Sequence, residues 1–140
     1  EIYHNEGGGH FKKEEKEENL WDYISSKGFH VVPITTLEQL SYASNFLCIE
    51  DQKIMAIEVE RIVEDVISNL INKERENPDR YGKLLEQVKK DYELLKNEGQ
   101  FFPHKKEMYQ AGIDSYPIIL KNLTGGYGGA HCMTCSLTRE

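Results

Sequence analysis

The sequence has no excess of positive charge: its 17 Lys and Arg residues face 24 Asp and Glu, which gives a formal net charge of -7. Nucleic acids and anionic membranes are bound by clustered positive charge, so this balance argues against both partners. No apolar run approaches the roughly 20 residues that a membrane-spanning helix needs. Residues 1–9 also lack the basic start and apolar stretch of a signal peptide. We therefore expect a cytoplasmic protein.

Cysteine is scarce, with three residues at Cys48, Cys132 and Cys135. An odd count at low density does not predict a disulfide framework, and it favours a reducing compartment. Cys48 falls in an apolar segment, where we expect a small buried side chain. The chain also lacks a methionine at its start, so we expect it to begin downstream of the start of its gene.

The remaining pattern predicts a mixed α/β fold. Apolar residues at helical spacing indicate one helix that ends at Gly28 and two long helices between Val59 and Gly99, separated at Asn77–Pro78. The charged residues of the two long helices are expected to be solvated. Short helices or turns are expected at 35–43 and 106–110. Strands are expected at 29–35, at 45–49 and 53–58 as a hairpin, and at 114–120.

A glycine-rich stretch, "GGYGGAHC", leads into Cys132 near the end of the sequence. A Walker-type phosphate loop would need a Lys followed by Ser or Thr, and a dinucleotide fingerprint would need its glycines to open a long helix. The stretch has no such Lys, and only eleven residues follow Gly129. Nucleotide binding is therefore not favoured.

The pair Cys132 and Cys135 forms a C-x-x-C motif, which raises the alternative of a noncatalytic α/β module with a structural metal. A structural zinc site needs four ligands, usually from two such pairs, and the sequence has no second pair. The nucleophile interpretation fits the local chemistry better. Glycines allow close backbone approach, and backbone N–H groups around a thiol lower its pKa. His131 is not assigned as the general base, because sequence neighbours usually point in different directions.

The segment "GGAHCMTCSLTRE", matched over residues 128–139, resembles the C-terminal active-site segment of bacterial arginine deiminases. A weaker resemblance covers residues 44–58, "SNFLCIEDQKIMAIE", which are similar to a hairpin of that family led by asparagine. The resemblance implies a five-bladed α/β propeller built from ββαβ modules. Residues 1–140 would form the C-terminal part of its catalytic domain, and about 59–112 would be an inserted helical hairpin.

The resemblance also implies a reaction without cofactor or metal. Cys132 would attack the guanidinium carbon of an arginine-like substrate, ammonia would leave, and a covalent amidino-cysteine intermediate would be hydrolysed to citrulline. Substrate-binding residues would be Tyr127, Gly128 and Gly129. Tyr127 stands where the family usually has arginine, which makes the guanidine substrate an open question. An amidinotransferase of the same superfamily remains an alternative.

The family's His-x-Asp motif and its guanidinium-binding carboxylates have no recognisable counterparts in these 140 residues. We expect them upstream of Glu1, in the N-terminal portion of the same protein, which would then be the partner of this chain. These residues alone are expected to be catalytically incomplete. A homo-oligomer is also compatible with the sequence.

Overall fold

The computed structural model describes residues 3–13, 19–119 and 129–134. The chain divides into two compact units, Glu1–Val31 and Val32–Glu140. In the smaller unit, the described residues form two strands and one helix. The larger unit contains the remaining strands and helices, together with Cys132, and it is the unit that positions the candidate site.

The smaller unit begins with an antiparallel hairpin of strands β1 (Tyr3–Gly7) and β2 (His10–Lys13). Gly8 and Gly9 connect the strands with φ of 63° and 83°, a left-handed backbone that glycine adopts without strain. Helix α1 (Leu20–Ser26) follows, and Gly28, with φ of 78°, lies just after its end. The predicted helix and its stop at Gly28 are confirmed.

In the larger unit, the described residues form a sheet of three strands, β3 (Leu47–Glu50), β4 (Lys53–Ala56) and β5 (Asp114–Pro117), in the order β3-β4-β5. Strands β3 and β4 are antiparallel, while β4 and β5 are parallel. Parallel neighbours require a crossover connection, which is supplied here by the helices between them. The predicted hairpin is confirmed, and the strand expected at 114–120 is shorter than predicted.

The described residues of the larger unit form the helices α2 (Thr36–Leu40), α3 (Val59–Glu76), α4 (Pro78–Glu98) and α5 (Lys106–Gln110). The break between α3 and α4 has a local cause. The side chain of Asn77 accepts a hydrogen bond from the backbone N–H of Arg80, and Pro78 occupies the first helical turn. Gly99 ends α4 with φ of 64°. The predicted pair of long helices and the helix at 106–110 are therefore confirmed.

The hydrophobic core lies where the helices cover β4. Strand β4 alternates between half-buried and buried residues, and α3 packs against α4, as the apolar stripes of both helices predict. Helix α2 packs on the same two helices. The core residues are Leu37, Ala43, Ile54, Ala56, Val59, Val63, Leu70, Leu85, Val88, Leu95, Phe101, Phe102 and Met108.

Two sequence expectations are wrong. Residues 29–35 form no strand, since Pro33 lacks an N–H and no strand among the described residues pairs with this segment. Cys48 was expected to be buried, but it is exposed. It pairs with the buried Ile54, yet among the described strands β3 lies at the edge of the sheet, and the core is built on β4.

A third expectation fails at Asp91, because not all charged residues of the long helices are solvated. Asp91 is only 6% exposed and lies on the apolar stripe of α4, between Val88 and Leu95. Its carboxylate accepts hydrogen bonds at this position, which is how a buried carboxylate avoids a large desolvation cost.

Residues 47–117 have the element order of a ββαβ unit, with α3, α4 and α5 between β4 and β5. The mixed α/β content agrees with the predicted fold class, and the five-bladed propeller remains an expectation. Within the described part of the chain, no helix is long and apolar enough to cross a membrane.

Candidate functional site

Cys132 lies in a short 3-10 turn, His131–Met133, with an exposed thiol. The residue before this turn, Ala130, is buried at 3% exposure and anchors the backbone. After the turn, the hydroxyl of Thr134 donates a hydrogen bond to the Ala130 carbonyl at 3.0 Å. The turn thus presents the thiol to solvent from a backbone that is fixed on both sides.

The side chain of Asn45 contacts the thiol and the backbone of the turn together. Its Nδ2 donates to Sγ of Cys132 at 2.8 Å. Its Oδ1 accepts from the backbone N–H of His131 at 2.8 Å and from that of Cys132 at 3.3 Å. One carboxamide therefore fixes the orientation of the turn and also supplies a donor to the sulfur.

Asn45 is itself placed by the end of α2. Tyr42 follows the last turn of this helix with φ of 60°, an uncommon backbone for a residue other than glycine. The N–H of Ala43 donates to the Glu38 carbonyl at 3.0 Å, and the N–H of Asn45 donates to the Tyr42 carbonyl at 2.9 Å. The first of these bonds is the pattern of a Schellman helix end. The helix and the turn after it set the position from which Asn45 reaches Cys132.

The pKa of the Cys132 thiol is lowered from its ordinary value. The main cause is the hydrogen bond from Asn45, followed by the backbone of Gly129, with a smaller contribution from the backbone of Cys132 itself. Each of these stabilises the thiolate more than the thiol. Desolvation opposes them and has a larger effect than the backbone of Cys132, but the hydrogen bonds from Asn45 and Gly129 outweigh it. A larger thiolate fraction at neutral pH makes Cys132 a better nucleophile.

Glycine is required at position 129 because a side chain would have no room there, and not because the backbone conformation is unusual. A Cβ at this position would lie 2.6 Å from both Cγ and Oδ1 of Asn45. Such a separation is far below van der Waals contact, so any side chain would push Asn45 away. The backbone at Gly129 lies close to the side chain of Asn45. A close approach of the glycine stretch to a ligand stays a prediction.

Gly129→Ala should therefore disturb the site. We expect a loss of about 1–3 kcal/mol in the free energy of unfolding, typical of overpacking, or a displaced Asn45 with a slower-reacting thiol. Thermal unfolding and the rate of Cys132 alkylation measure these two results. Gly82→Ala is the matched control, since no atom lies near its added Cβ and alanine favours a helix interior by up to about 1 kcal/mol. An unchanged stability and alkylation rate in Gly129→Ala would contradict the close approach.

Of the residues predicted for the site, the structure describes Cys132 and Gly129, which it brings together. Tyr127, Gly128 and Cys135 lie outside the described residues. Asn45 was missed, although it leads the second segment that carries the family resemblance. The only sequence signal for Asn45 was its place in that segment, because the local pattern does not connect residue 45 with residue 132.

A metal centre finds no support among the described residues, where no group of three or more His, Cys, Asp or Glu side chains is arranged to hold an ion. Cys135 lies beyond these residues, so the C-x-x-C alternative stays a prediction. The donors around Cys132 are an amide and backbone N–H groups, which suit a thiolate rather than a cation.

The model of the family described as arginine deiminase matches residues 4–139. The chain belongs to the arginine deiminase family. A search of the curated proteins and one of the solved structures give no significant match. The family match spans both units and includes Asn45 and Cys132. At the level of the arginine deiminase family, this supports an enzyme that hydrolyses guanidine groups and takes part in arginine catabolism.

Proposed function

We propose that Cys132 is the nucleophile of a guanidine hydrolase that converts L-arginine to L-citrulline and ammonia. The observation that carries this proposal is the Asn45–Cys132 contact, which couples an exposed thiol of lowered pKa to a fixed backbone turn. Guanidinium is a weak electrophile, so a thiolate is a suitable attacking group. The arginine deiminase family match supports the same chemistry.

In the proposed first step, Sγ of Cys132 attacks the guanidinium carbon and forms a C–S bond. One C–N bond then breaks, and the departing nitrogen takes a proton from an acid group and leaves as ammonia. The product is a covalent amidino-cysteine cation. The hydrogen bond from Asn45 favours the thiolate form of Cys132 before the attack and holds Sγ in place during the attack.

In the second step, a base removes a proton from water, and the resulting hydroxide attacks the same carbon. The C–S bond breaks, the electron pair returns to Sγ, and the remaining proton is released as the ureido group forms. The donors from Asn45 and Gly129 stabilise the returning thiolate. The whole reaction consumes one water molecule and needs no oxidant or cofactor.

We also propose that the acid–base group and the carboxylates that bind the guanidinium come from the N-terminal portion of the same protein. Within the described part of the chain, the hydrogen bonds to Sγ come from an amide and from backbone groups. That portion would complete the propeller to which the ββαβ unit of residues 47–117 belongs, with helices α3 and α4 as an insertion. The reaction would take place in the cytoplasm.

Tyr127 and the neighbouring Gly128 and Gly129 are proposed to face the substrate. Tyrosine donates one hydrogen bond, whereas arginine offers a charged fork that matches a carboxylate. Tyr127 would therefore hold the α-carboxylate of arginine only weakly. We expect guanidine compounds that lack an α-carboxylate to compete well with free arginine.

Mass spectrometry of the products tests this function. Full-length protein and the 140-residue chain are incubated separately with L-arginine, with agmatine as the analogue without a carboxylate, and with an added amine acceptor. We expect a ureido product and ammonia with the full-length protein, and little turnover with the chain alone. An amidino group on the added amine would instead identify a transferase. Absence of turnover with every guanidine would refute the proposed function.

A further inference from the structure

Two buried carboxylates hold α2 in the larger unit. The first is Glu38, whose side chain is fully buried. It accepts hydrogen bonds from the backbone N–H of Thr35 at 2.8 Å and from that of Phe102 at 2.9 Å. Nζ of Lys105, which is also buried, lies 3.1 Å from the same carboxylate. Glu38 thus joins the first turn of α2 to the segment that follows α4.

The second carboxylate belongs to Asp91, in the middle of α4. Its Oδ2 accepts a hydrogen bond from the backbone N–H of Leu37 at 3.0 Å. Its Oδ1 accepts from Nε2 of Gln87, one turn earlier on α4, at 2.7 Å. The N–H of Leu37 is among the first N–H groups of α2, which have no partner inside the helix. Asp91 therefore caps α2 from a distant part of the chain.

The path from these carboxylates to Asn45 is short. Asn45 lies seven positions after Glu38, and the intervening backbone is closed by the hydrogen bonds of Ala43 and Asn45. On the other side, the ring of Phe46 stacks on that of Phe102 with centroids 6.2 Å apart. The segment around Phe102 therefore holds both ends of the backbone that carries Asn45.

We propose that Asp91 is a positioning residue for Cys132, acting through α2 and Asn45. The helical crossover between β4 and β5 would then have a role in the site, because α4 belongs to this crossover and fixes α2. Asn45 follows the end of α2. This inference rests on the proposed function, because it gives Asp91 a part in preparing the nucleophile. Its physical statement, that Asp91 controls the reactivity of the thiol, is testable without any substrate.

Removal of the acceptor should loosen α2. In Asp91→Ala the N–H of Leu37 would lose its partner in a buried environment, where an unsatisfied polar group is costly. Leu37 is itself fully buried, so water has little access to this N–H. The first turn of α2 would shift or fray, and the end of the helix would no longer hold Asn45 in one position.

The test measures the alkylation of Cys132 by iodoacetamide as a function of pH. It is run in a full-length Cys135→Ser background, because both cysteines lie in the tryptic peptide of residues 122–139. Quantification of that peptide separates Cys132 from the exposed Cys48. We expect alkylation of Asp91→Ala at neutral pH to be about threefold to tenfold slower, because the pKa of the Cys132 thiol would rise toward its ordinary value when Asn45 is displaced. The rate at high pH should be nearly unchanged.

Asp91→Asn tests for rescue. Its amide oxygen still accepts from Leu37, and its amide nitrogen can pair with a rotated Gln87 side chain. We expect its alkylation profile to match that of the unsubstituted protein. Thr35→Ala provides a second variant at the same end of α2, because it removes the side-chain cap of the Glu38 N–H and the hydrogen bond from the Thr35 hydroxyl to the Glu38 carboxylate. It should fold and shift the profile in the same direction, with Thr35→Ser as its rescue.

Leu85→Ala is the control for general loss of stability, since it opens the core on the same helix and leaves the Asp91–Leu37 hydrogen bond in place. Its profile should keep the original midpoint. An equal shift in Leu85→Ala, or folded Asp91→Ala and Thr35→Ala proteins with unchanged profiles, would overturn the proposal. Because no turnover is measured, these results are independent of whether the protein hydrolyses guanidines.

Discussion

Cys132→Ser should abolish guanidine hydrolysis, with a fall in kcat of at least about 10³-fold. A serine hydroxyl is hardly ionised at neutral pH, and the hydrogen bonds to Sγ among the described residues come from an amide and from backbone groups rather than from a base. Asn45 can still hydrogen-bond to the hydroxyl, so the turn should keep its structure. The loss would then reflect chemistry rather than folding. Steady-state kinetics and circular dichroism measure the two separately.

Cys48→Ser is the matched control, because it makes the same substitution at another exposed thiol. It should retain full activity. Acid quenching during turnover, followed by mass spectrometry, should find the amidino adduct on the peptide of residues 122–139 and none in Cys132→Ser. Substantial activity in folded Cys132→Ser would exclude Cys132 as the nucleophile. An equal loss in Cys135→Ser would favour the alternative of a metal held by the C-x-x-C pair.

Asn45→Ala should lower kcat/KM by roughly 10²-fold at neutral pH, similar to the loss of one donor from other preorganised sites. The sign of the pH effect follows from the cause of the pKa shift. Asn45 donates to Sγ and lowers the pKa of Cys132, so its removal raises that pKa toward the ordinary value. The thiolate then forms only at higher pH, and the acidic limb of the pH–rate profile should move to higher pH.

Asn77→Ala gives a control of the same chemical type. Asn77 caps the start of α4, and its loss should cost about 1 kcal/mol of stability without contact to the thiol. It should leave the acidic limb unchanged. Asn45→Asp adds a further check, since a carboxylate cannot donate to Sγ and its charge opposes a thiolate. An Asn45→Ala profile identical to that of the unsubstituted protein would show that Asn45 does not set the reactivity of Cys132.

The long helices were predictable because their signals are local. A stripe of apolar residues such as Val59, Val63 and Leu70 indicates the buried face of a helix. Asn77 and Pro78 indicate the break between the helices, because Asn caps a helix start and Pro suits its first turn. Residues 29–35 misled the prediction because β-propensity describes a residue's suitability for a sheet. It does not say whether a partner strand exists, and no described strand pairs with this segment.

The candidate site was only partly predictable. Cys132 stands out through its glycine-rich approach and its resemblance to a known segment. Asn45 reaches it across 87 positions, a contact that depends on how the whole larger unit folds. The sequence predicts a solvated side chain for Asp91, because α4 is rich in charged residues. Its burial depends on the placement of α2, which helical periodicity in α4 does not reveal.

The separation between Asn45 and Cys132 has a consequence for the biosynthesis of the protein. The two residues lie on either side of the crossover, so the chain between them must fold back before they can meet. Contacts of such long range form late, because the intervening loop must close first. Until then the thiol has the reactivity of any cysteine in an unfolded chain. Its enhanced acidity is therefore acquired at the end of folding, and rapid alkylation at neutral pH would report that the crossover has closed.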